Sequence, residues 1–466
     1  MASPTAVMMS DTVKKNVVFS AECFNEGYKP PGSQCPDSST QLLVEYSVMP
    51  LGTGPMTEEN KQDVIKKIDG TIDIIKGCLA IGSFAFPPAA GTLAFIAGCG
   101  SAIQWLMGKI PDERETEVVK RYKLLEAEIK KLEEKMVAHF ADMQAFISEH
   151  NFDVHIKTEA STLMRFMRNC LKSLKTQDVK NFKLIYDPKP PLTMTYSMTS
   201  LLNNRSTNPL IKAMESEKVK TKATFNKWKN IITGILGEFL FIETFASGLL
   251  NKTLEDGDSI LEEWNNVTTS LVKWENEFKS DEEYWKQLKV DFEKYITDNT
   301  KLSKMQKAEE IKKRLDKYLT SDTFFICVFN EASWGNQYNY NFSPNLIAEQ
   351  LIMNVNKGGC CAFVYRSRTA WKMSKDDYVK MKDQVANASS KIGWGGLFSK
   401  IYDDYYRNMA GGYELYFLMI PSCDAAVCYS DANPVIKWDG FNYTGPGAHT
   451  KLPLSAPQYY SIVAFK

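Results

Sequence analysis

The sequence lacks the charge imbalance that marks nucleic-acid-binding proteins. Its 56 lysines and arginines balance its 56 aspartates and glutamates, so the formal net charge is zero. A nucleic-acid-binding domain carries a basic patch, which this composition does not indicate. An excess of one sign that would steer the chain toward a charged partner is also missing. The sequence therefore predicts no nucleic-acid partner.

The motifs of enzymes and metal sites are also missing. The chain has only four histidines, and its cysteines never show the paired Cys-x-x-Cys spacing of a structural zinc site. No glycine-rich dinucleotide fingerprint, phosphate loop or nucleophile elbow occurs in it. The sequence therefore predicts no enzyme activity, no cofactor and no metal site.

Residues 1–16 lack the apolar core of a secretory signal. The cysteines nevertheless favour an oxidising compartment, because Cys23 and Cys35 bracket a Pro-Pro-Gly loop and Cys423 and Cys428 are five residues apart. Triplets of the form Asn-x-Ser/Thr, which accept glycans in secreted proteins, add to this indication. We therefore expect a secreted glycoprotein with disulfides. The triplets begin at Asn204, Asn251, Asn266, Asn341, Asn387 and Asn442.

One long stretch, residues 77–108, contains no charged side chain. Pro87 and Pro88 must interrupt any helix there, because a proline lacks the N–H group and restricts the residue before it. We therefore predict a helical hairpin with arms over about residues 71–86 and 89–108. Its many small residues would let helices approach closely, as they do in lipid. The residues predicted to enter a membrane are Leu79, Ile81, Phe84, Phe86, Pro87, Pro88, Leu93, Phe95, Ile96, Ile103, Trp105 and Leu106.

A disulfide is predicted inside this hairpin. Cys78 and Cys99 lie symmetrically about the junction of Pro88 and Ala89, so an antiparallel hairpin would bring them to the same level. A disulfide requires Cα atoms within about 7 Å of each other, and the neighbouring glycines favour such an approach. The apolar stretch fits two other interpretations: the permanently buried centre of a soluble bundle, and a permanent membrane anchor, which its glycines and prolines disfavour.

The remainder of residues 57–320 has the pattern of long amphipathic helices. Apolar side chains in one segment follow alternating three- and four-residue steps, a heptad seam typical of coiled-coil packing. The proline-rich segment YDPKPPLTMTY predicts a break. Further helices are predicted over about 156–176, 211–250, 257–296 and 303–319, and the seam consists of Val118, Tyr122, Leu125, Ile129, Leu132, Met136, His139 and Met143.

At about residue 320 aromatic residues become frequent and charged residues rare. The runs TFFICVFN, GGCCAFVYR, YELYFLMIPS and YYSIVAFK predict strands, whereas PNLIAEQLIMNV and KDDYVKMKDQVANASSKI predict helices. Residues 321–466 are therefore predicted to be a separate α+β module, which strands from residues 1–56 complete. Its aromatic residues predict recognition of a surface glycan, a lipid headgroup or a protein receptor, although a sheet face packed on a helix has the same pattern. The recognition candidates are Trp334, Tyr338, Tyr340, Phe342, Trp438, Phe441 and Tyr443.

The order of these parts resembles a known helical domain. An apolar hairpin and a heptad helix precede the run FNKWKNIITGILGEFLFIETFASGLLNK, and an acidic, tryptophan-bearing helix follows it. Over about residues 60–300 this arrangement is similar to the helical domain of rapunzel-type animal proteins and cubozoan jellyfish toxins, which resembles the pore-forming domain of insecticidal crystal toxins. The resemblance implies an α-helical bundle and, for the toxin branch, membrane insertion. The residues that carry it are Phe225, Trp228, Ile232, Leu236, Leu240, Glu243, Phe245 and Gly248.

Together these observations predict an α+β multidomain protein, mostly an α-helical bundle with a central hydrophobic hairpin. The predicted function is pore formation in a lipid membrane by a homo-oligomer, after a trigger releases the hairpin. The alternative is a soluble structural or adaptor protein that binds other proteins and keeps the hairpin buried. A charge in the hairpin, as in Ala94→Asp, would abolish membrane activity in the first case and only destabilise the fold in the second.

Overall fold

The structure, a computed structural model, is an α+β fold dominated by helices, as the sequence predicts. The chain forms two compact units, which are described separately below. The described residues are 16–17, 42–43, 57–81, 90–107, 116–144, 152, 156–252, 255–279, 283–330, 341–342, 351–357, 360–367, four positions between 374 and 383, 416–421, 425–429, 447–453 and 459–465.

Helices form where apolar residues recur at helical spacing. Several also carry charges or caps that suit their ends, such as Glu58 and Glu59 in the first turn of the first helix. In the described part of the chain the helices are α1 (Glu58–Ile81), α2 (Ala90–Leu106), α3 (Glu117–Gln144), α4 (Thr158–Ser173), α5 (Thr176–Tyr186), α6 (Pro191–Asn203), α7 (Pro209–Ser216), α8 (Lys222–Leu250), α9 (Glu255–Lys279), α10 (Glu283–Asp298) and α11 (Lys304–Leu315).

Strands lie at the two ends of the chain. Those after residue 320 are rich in β-branched and aromatic residues, which suit a pleated surface. The described strands are β1 (Asn16–Val17), β2 (Leu42–Leu43), β3 (Thr323–Asn330), β4 (Asn341–Phe342), β5 (Leu351–Lys357), β6 (Cys360–Ser367), β7 (Tyr416–Pro421), β8 (Ala425–Tyr429), β9 (Gly447–Pro453) and β10 (Tyr459–Phe465).

The first unit comprises residues 1–213 and 226–272. Its helix α3 confirms the predicted heptad seam, because every seam residue is buried apart from the half-buried Tyr122. α3 packs on α1 and α4, and α1 packs on α2. Arg168 of α4 binds two carboxylates of α3, Glu126 at 2.8 Å and Glu133 at 2.5 Å. The amphipathic face of α3 therefore holds three helices of this unit together.

Several predicted helix boundaries differ from the structure. The proline-rich segment interrupts the helices only over residues 187–190, because Pro191 takes the first position of α6, where its missing N–H group leaves no hydrogen bond unmade. The run predicted over 211–250 contains both α7 and α8. The Thr221 hydroxyl accepts a hydrogen bond from the Thr224 amide at 3.2 Å, which caps the start of α8.

The second unit comprises residues 214–225 and 273–466, and its described strands form two antiparallel sheets. The strand orders are β5-β6-β3-β8 and β4-β7-β10-β9. In β3, Phe324, Ile326 and Val328 share one face and form a core cluster with the apolar residues of α10 and α11. These two helices therefore belong with the sheet, so the helical bundle does not extend to residue 320 as predicted.

Part of one segment that was predicted to be helical is a strand. Within PNLIAEQLIMNV, residues 351–355 were predicted helical but belong to β5, which pairs antiparallel with β6; that prediction is wrong there. A short apolar run has no decisive period of its own, and the partner strand decides its conformation. Within KDDYVKMKDQVANASSKI, Asp376, Val379 and Asp383 are helical.

β1 and β2 pair with each other in a separate sheet rather than with a strand of the second unit.

Candidate functional site

Helix α8 is the most apolar long helix of the described chain. Residues 230–251 contain no charged side chain other than Glu238 and Glu243. Among the described residues it is the one helix long and apolar enough to cross a membrane, by length and composition alone, and its most apolar window is entirely buried. A core helix of a soluble bundle has the same properties. The central burial of α8 was not predicted, although the scarcity of charge in residues 230–251 is visible in the sequence.

Helix α2, the second arm of the predicted hairpin, packs on α8 with backbone against backbone. A Cβ atom at Gly248 would lie 1.9 Å from the carbonyl oxygen of Ala97, and one at Gly100 would lie 2.2 Å from the carbonyl oxygen of Phe245. Ser101 Oγ donates a hydrogen bond to the Gly248 carbonyl oxygen at 3.2 Å. Because no side chain fits at either glycine, these two residues determine where the helices cross.

The first arm, α1, packs antiparallel to α2 in a register that the sequence did not predict. Thr71 Oγ1 donates a hydrogen bond to the carbonyl oxygen of Phe95 at 3.3 Å. A Cβ atom at Gly98 would lie 3.3 Å from the side chain of Lys67. The midpoint of residues 71 and 95 is residue 83, whereas the predicted hairpin was symmetric about residues 88 and 89. The α2 helix therefore lies beside the charged part of α1.

This register separates the two cysteines of the hairpin, and both are free, buried thiols. The Cys99 thiol lies beside Thr71, whose hydroxyl partly offsets the rise that burial causes in the pKa of the thiol. Seven residues of helix, about 10 Å, separate Thr71 from Cys78 along α1. A disulfide requires Cα atoms within about 7 Å. The predicted bridge between Cys78 and Cys99 is therefore absent from this structure.

Most of the predicted membrane-entering residues whose side chains the structure describes are covered by the first unit. Leu79 is half-buried, and Phe95 is the one large apolar side chain of the described hairpin that is exposed, at 38%. Ile81 ends α1, but its side chain is not among those described. Phe84, Phe86, Pro87 and Pro88 lie outside the described residues. The buried members are Leu93, Ile96, Ile103, Trp105 and Leu106.

Glu238 of α8 is completely buried, and neither of its carboxylate oxygens has a hydrogen-bond partner. His139 Nδ1 of α3 lies 3.6 Å from Glu238 Oε1. Lys135 Nζ, also on α3, donates a hydrogen bond to the Cys78 carbonyl oxygen at 3.0 Å. Desolvation raises the pKa of Glu238 well above its usual range, against the opposing charge of Lys135. Burial lowers the pKa of His139 to about 4, so this imidazole is neutral at pH 7.

Glu243 connects α8 to the end of α5. The Tyr186 hydroxyl donates a hydrogen bond to Glu243 Oε1, and Ser247 Oγ donates another at 3.4 Å. Lys252 Nζ lies 4.2 Å from the centre of the Tyr186 ring and 2.8 Å from Asp187 Oδ1. Burial raises the pKa of Glu243 to about 7, although the hydrogen bond from Tyr186 opposes the shift. This carboxyl therefore changes its charge near neutral pH.

We expect Glu243 to make the fold less stable as the pH rises from 4.5 to 7. A carboxyl with a pKa of about 7 in the folded state and 4.5 in the unfolded state binds more protons when folded, so stability declines through that window. Glu243→Gln removes this titration. Urea unfolding at pH 4.5 and pH 8 should show a loss of stability that is about 3 kcal/mol smaller in the variant than in the wild type.

Glu262→Gln, at an exposed position of α9, is the matched control for this measurement. It should leave the difference between the two pH values unchanged. His139 makes a contribution of opposite sign between about pH 4 and 6.5, but this contribution is common to all three proteins. An unchanged pH dependence in Glu243→Gln would mean that Glu243 is already ionised in the folded protein at pH 4.5 and above.

The other predicted sites lie largely outside the described residues. Phe342 belongs to β4, which pairs with β7. Cys428 belongs to β8, opposite Ile326 of β3. The side chains of these two candidates are not among those described. The candidates that lie wholly outside the described residues are Trp334, Tyr338, Tyr340, Trp438, Phe441, Tyr443, Cys23, Cys35 and Cys423.

Comparison with known proteins gives one match. Residues 120–459 match the profile of a family described as "Protein of unknown function (DUF684)". No curated protein and no solved structure matches the chain. The match covers more than half of the chain and includes α8, whereas α1 and α2 precede it. The family profile thus includes α8, on which α2 packs, but not α2 itself.

Proposed function

We propose that this chain, which belongs to the DUF684 family of proteins of unknown function, forms pores in lipid membranes by inserting residues 77–108. The observation that carries the proposal is the construction of α2. It is a 17-residue helix without a charged side chain, seated on α8 by apolar packing and glycine contacts rather than by ion pairs. Such a helix can pass from one apolar environment to another without desolvating a charge, and its backbone remains hydrogen-bonded.

The distribution of charge supports α2, rather than α1, as the element that inserts. A helix of 17 residues is about 26 Å long, close to the roughly 30 Å of a bilayer core. α1 carries charged residues from Glu58 to Lys76 and cannot enter hydrocarbon over that length. Since α2 lies beside this charged part of α1, insertion requires that α2 separate from α1 as well as from α8.

A pore also requires several copies of the chain, because one short hairpin cannot enclose a channel. A homo-oligomer is therefore part of the proposal, with a lipid membrane as its target. Secretion is part of it too, and Asn204, Asn251 and Asn266 support it because these glycosylation positions are exposed. Surface recognition is assigned to the aromatic-rich residues 321–466.

A soluble adaptor protein is the second candidate function. The burial of α8 and most of α2 favours it, because an apolar helix is normally buried as the core of a soluble bundle. In that case α2 never leaves its seat and the surface helices bind protein partners. The two candidates differ in one movement, the separation of α2 from α1, and a reversible cross-link between these helices distinguishes them.

Thr71→Cys provides that cross-link, because the Thr71 side chain lies beside the Cys99 thiol. We expect the purified wild-type protein to release a trapped dye from phosphatidylcholine–phosphatidylserine vesicles. The oxidised variant should release none, since the new disulfide ties the middle of α2 to the charged part of α1. A thiol reductant should restore the release.

Thr71→Ser, taken through the same oxidation and reduction, is the matched control and should release dye under all conditions. If folded wild-type protein released no dye, the proposed function would be refuted in favour of the adaptor. Release that the cross-link did not impair would show that α2 does not leave α1, which contradicts the proposed route of insertion. Mass spectrometry of the oxidised variant establishes that the disulfide has formed.

A further inference from the structure

A cavity of about 260 Å³ lies inside the first unit, among α1, α2, α8 and α9. Its wall is mostly apolar and includes the indole of Trp264, which is buried. Polar groups reach it mainly at Asp73, which is exposed, and Thr92, which is half-buried. The cavity is separate from Glu238 and Glu243, neither of which lines it. The apolar side chains that line it are Ile74, Cys78, Leu93, Ile96, Leu240 and Phe241.

The volume of this cavity limits what it can hold. An apolar cavity of about 150 Å³ stays free of water and takes up benzene. A volume of 260 Å³ therefore accommodates a larger apolar group, on the order of an eight-carbon chain or a two-ring aromatic. Wall atoms that face a void lack dispersion partners, so an apolar group that enters restores those contacts.

Asp73 gives the cavity a charge preference. Its carboxylate is exposed at the edge of the apolar wall, and among the described residues no cation lies within ion-pair distance of it. A carboxylate at such a position attracts an ammonium group and repels another carboxylate. The ring of Trp264 in the same wall is a further favourable surface for a cation.

We propose that this cavity binds an amphiphilic organic amine, whose apolar body of about eight carbons fills the space between the helices and whose ammonium group pairs with Asp73. The site exists only in the folded bundle, with α2 packed on α8. It does not depend on the proposed pore, because the ligand binds to the protein in solution. A bound amine would also stabilise the bundle by mass action.

Calorimetric titration with octylamine, octanol and octanoate, which share one chain length, tests the proposal in low salt at pH 7. We expect octylamine to bind about two- to five-fold more tightly than octanol, the range for one exposed ion pair, and octanoate to bind most weakly. Asp73→Asn should equalise octylamine and octanol. Gly77→Leu places a side chain in the cavity and should abolish the binding of all three.

Gly257→Leu is the matched control, because no atom of the described residues lies within 4 Å of a Cβ atom built at that position of α9. It should bind octylamine as the wild type does. Leu93→Ala enlarges the cavity and should improve the binding of decylamine relative to octylamine, which tests the site even where Gly77→Leu fails to fold. Absence of binding by folded wild-type protein, or undiminished binding in folded Gly77→Leu, would overturn the proposal. Neither measurement uses vesicles, so a failure of ligand binding can be distinguished from a failure of dye release.

Discussion

Gly248→Ala is expected to destabilise the helical bundle by about 3 kcal/mol or more, the upper end of the range for overpacked cores. The added Cβ atom would lie 1.9 Å from the Ala97 carbonyl oxygen and 2.8 Å from the Ala97 carbonyl carbon. These are backbone atoms of a helix, so no side-chain rotation can relieve the clash and α2 must move away from α8. Urea unfolding followed by circular dichroism measures the loss.

The same substitution at Gly257 separates the steric effect from helix propensity. A Cβ atom there has no atom of the described residues within 4 Å, and alanine is favoured over glycine within a helix by up to about 1 kcal/mol. Gly257→Ala should therefore stabilise the protein slightly, while Gly248→Ala and Gly100→Ala both destabilise it. If Gly248→Ala instead behaved like Gly257→Ala, the close crossing of α2 and α8 would be refuted.

Periodicity alone predicted the parts of the fold in which one helix face is buried. The α3 seam from Val118 to Met143 repeats often enough to identify its buried side without knowledge of the partner helices. Pro87 and Pro88 indicated two arms rather than one helix because their effect on the backbone is local. The period of the seam and the effect of the prolines both depend on residues that are close together in the sequence, so both can be predicted without knowledge of the fold.

The register of the hairpin could not be predicted in the same way. Symmetry about the prolines placed Cys78 opposite Cys99, but the contacts of Lys67 and Thr71 with α2 shift the pairing by several residues. The position of α2 on α8 is determined by Gly248. This residue is distant from α2 in sequence and has no side chain that could contribute to a pattern. Similarly, α10 and α11 belong to the second unit because their apolar residues pack on its sheet, a contact that local composition does not reveal.

Glu238→Gln is expected to stabilise the protein relative to the wild type, by an amount that grows with pH. The pKa of Glu238 lies well above its usual range in the folded state, so the folded protein binds the extra proton and loses stability as the pH rises. The stability lost between pH 4.5 and pH 8 should therefore be smaller in the variant than in the wild type.

Glu134→Gln, at an exposed position of α3, is the control and should show no such trend. If Glu238→Gln instead lowered stability at pH 8, the carboxylate would be ionised in the fold and balanced by Lys135. A double-mutant cycle with Lys135→Met decides between these cases, because an ion pair gives a large coupling energy and a neutral acid a small one. Lys135 also binds the Cys78 carbonyl oxygen, at the start of the stretch proposed to insert. Because both buried carboxyls make the fold less stable as the pH rises, dye release should be favoured by higher rather than lower pH.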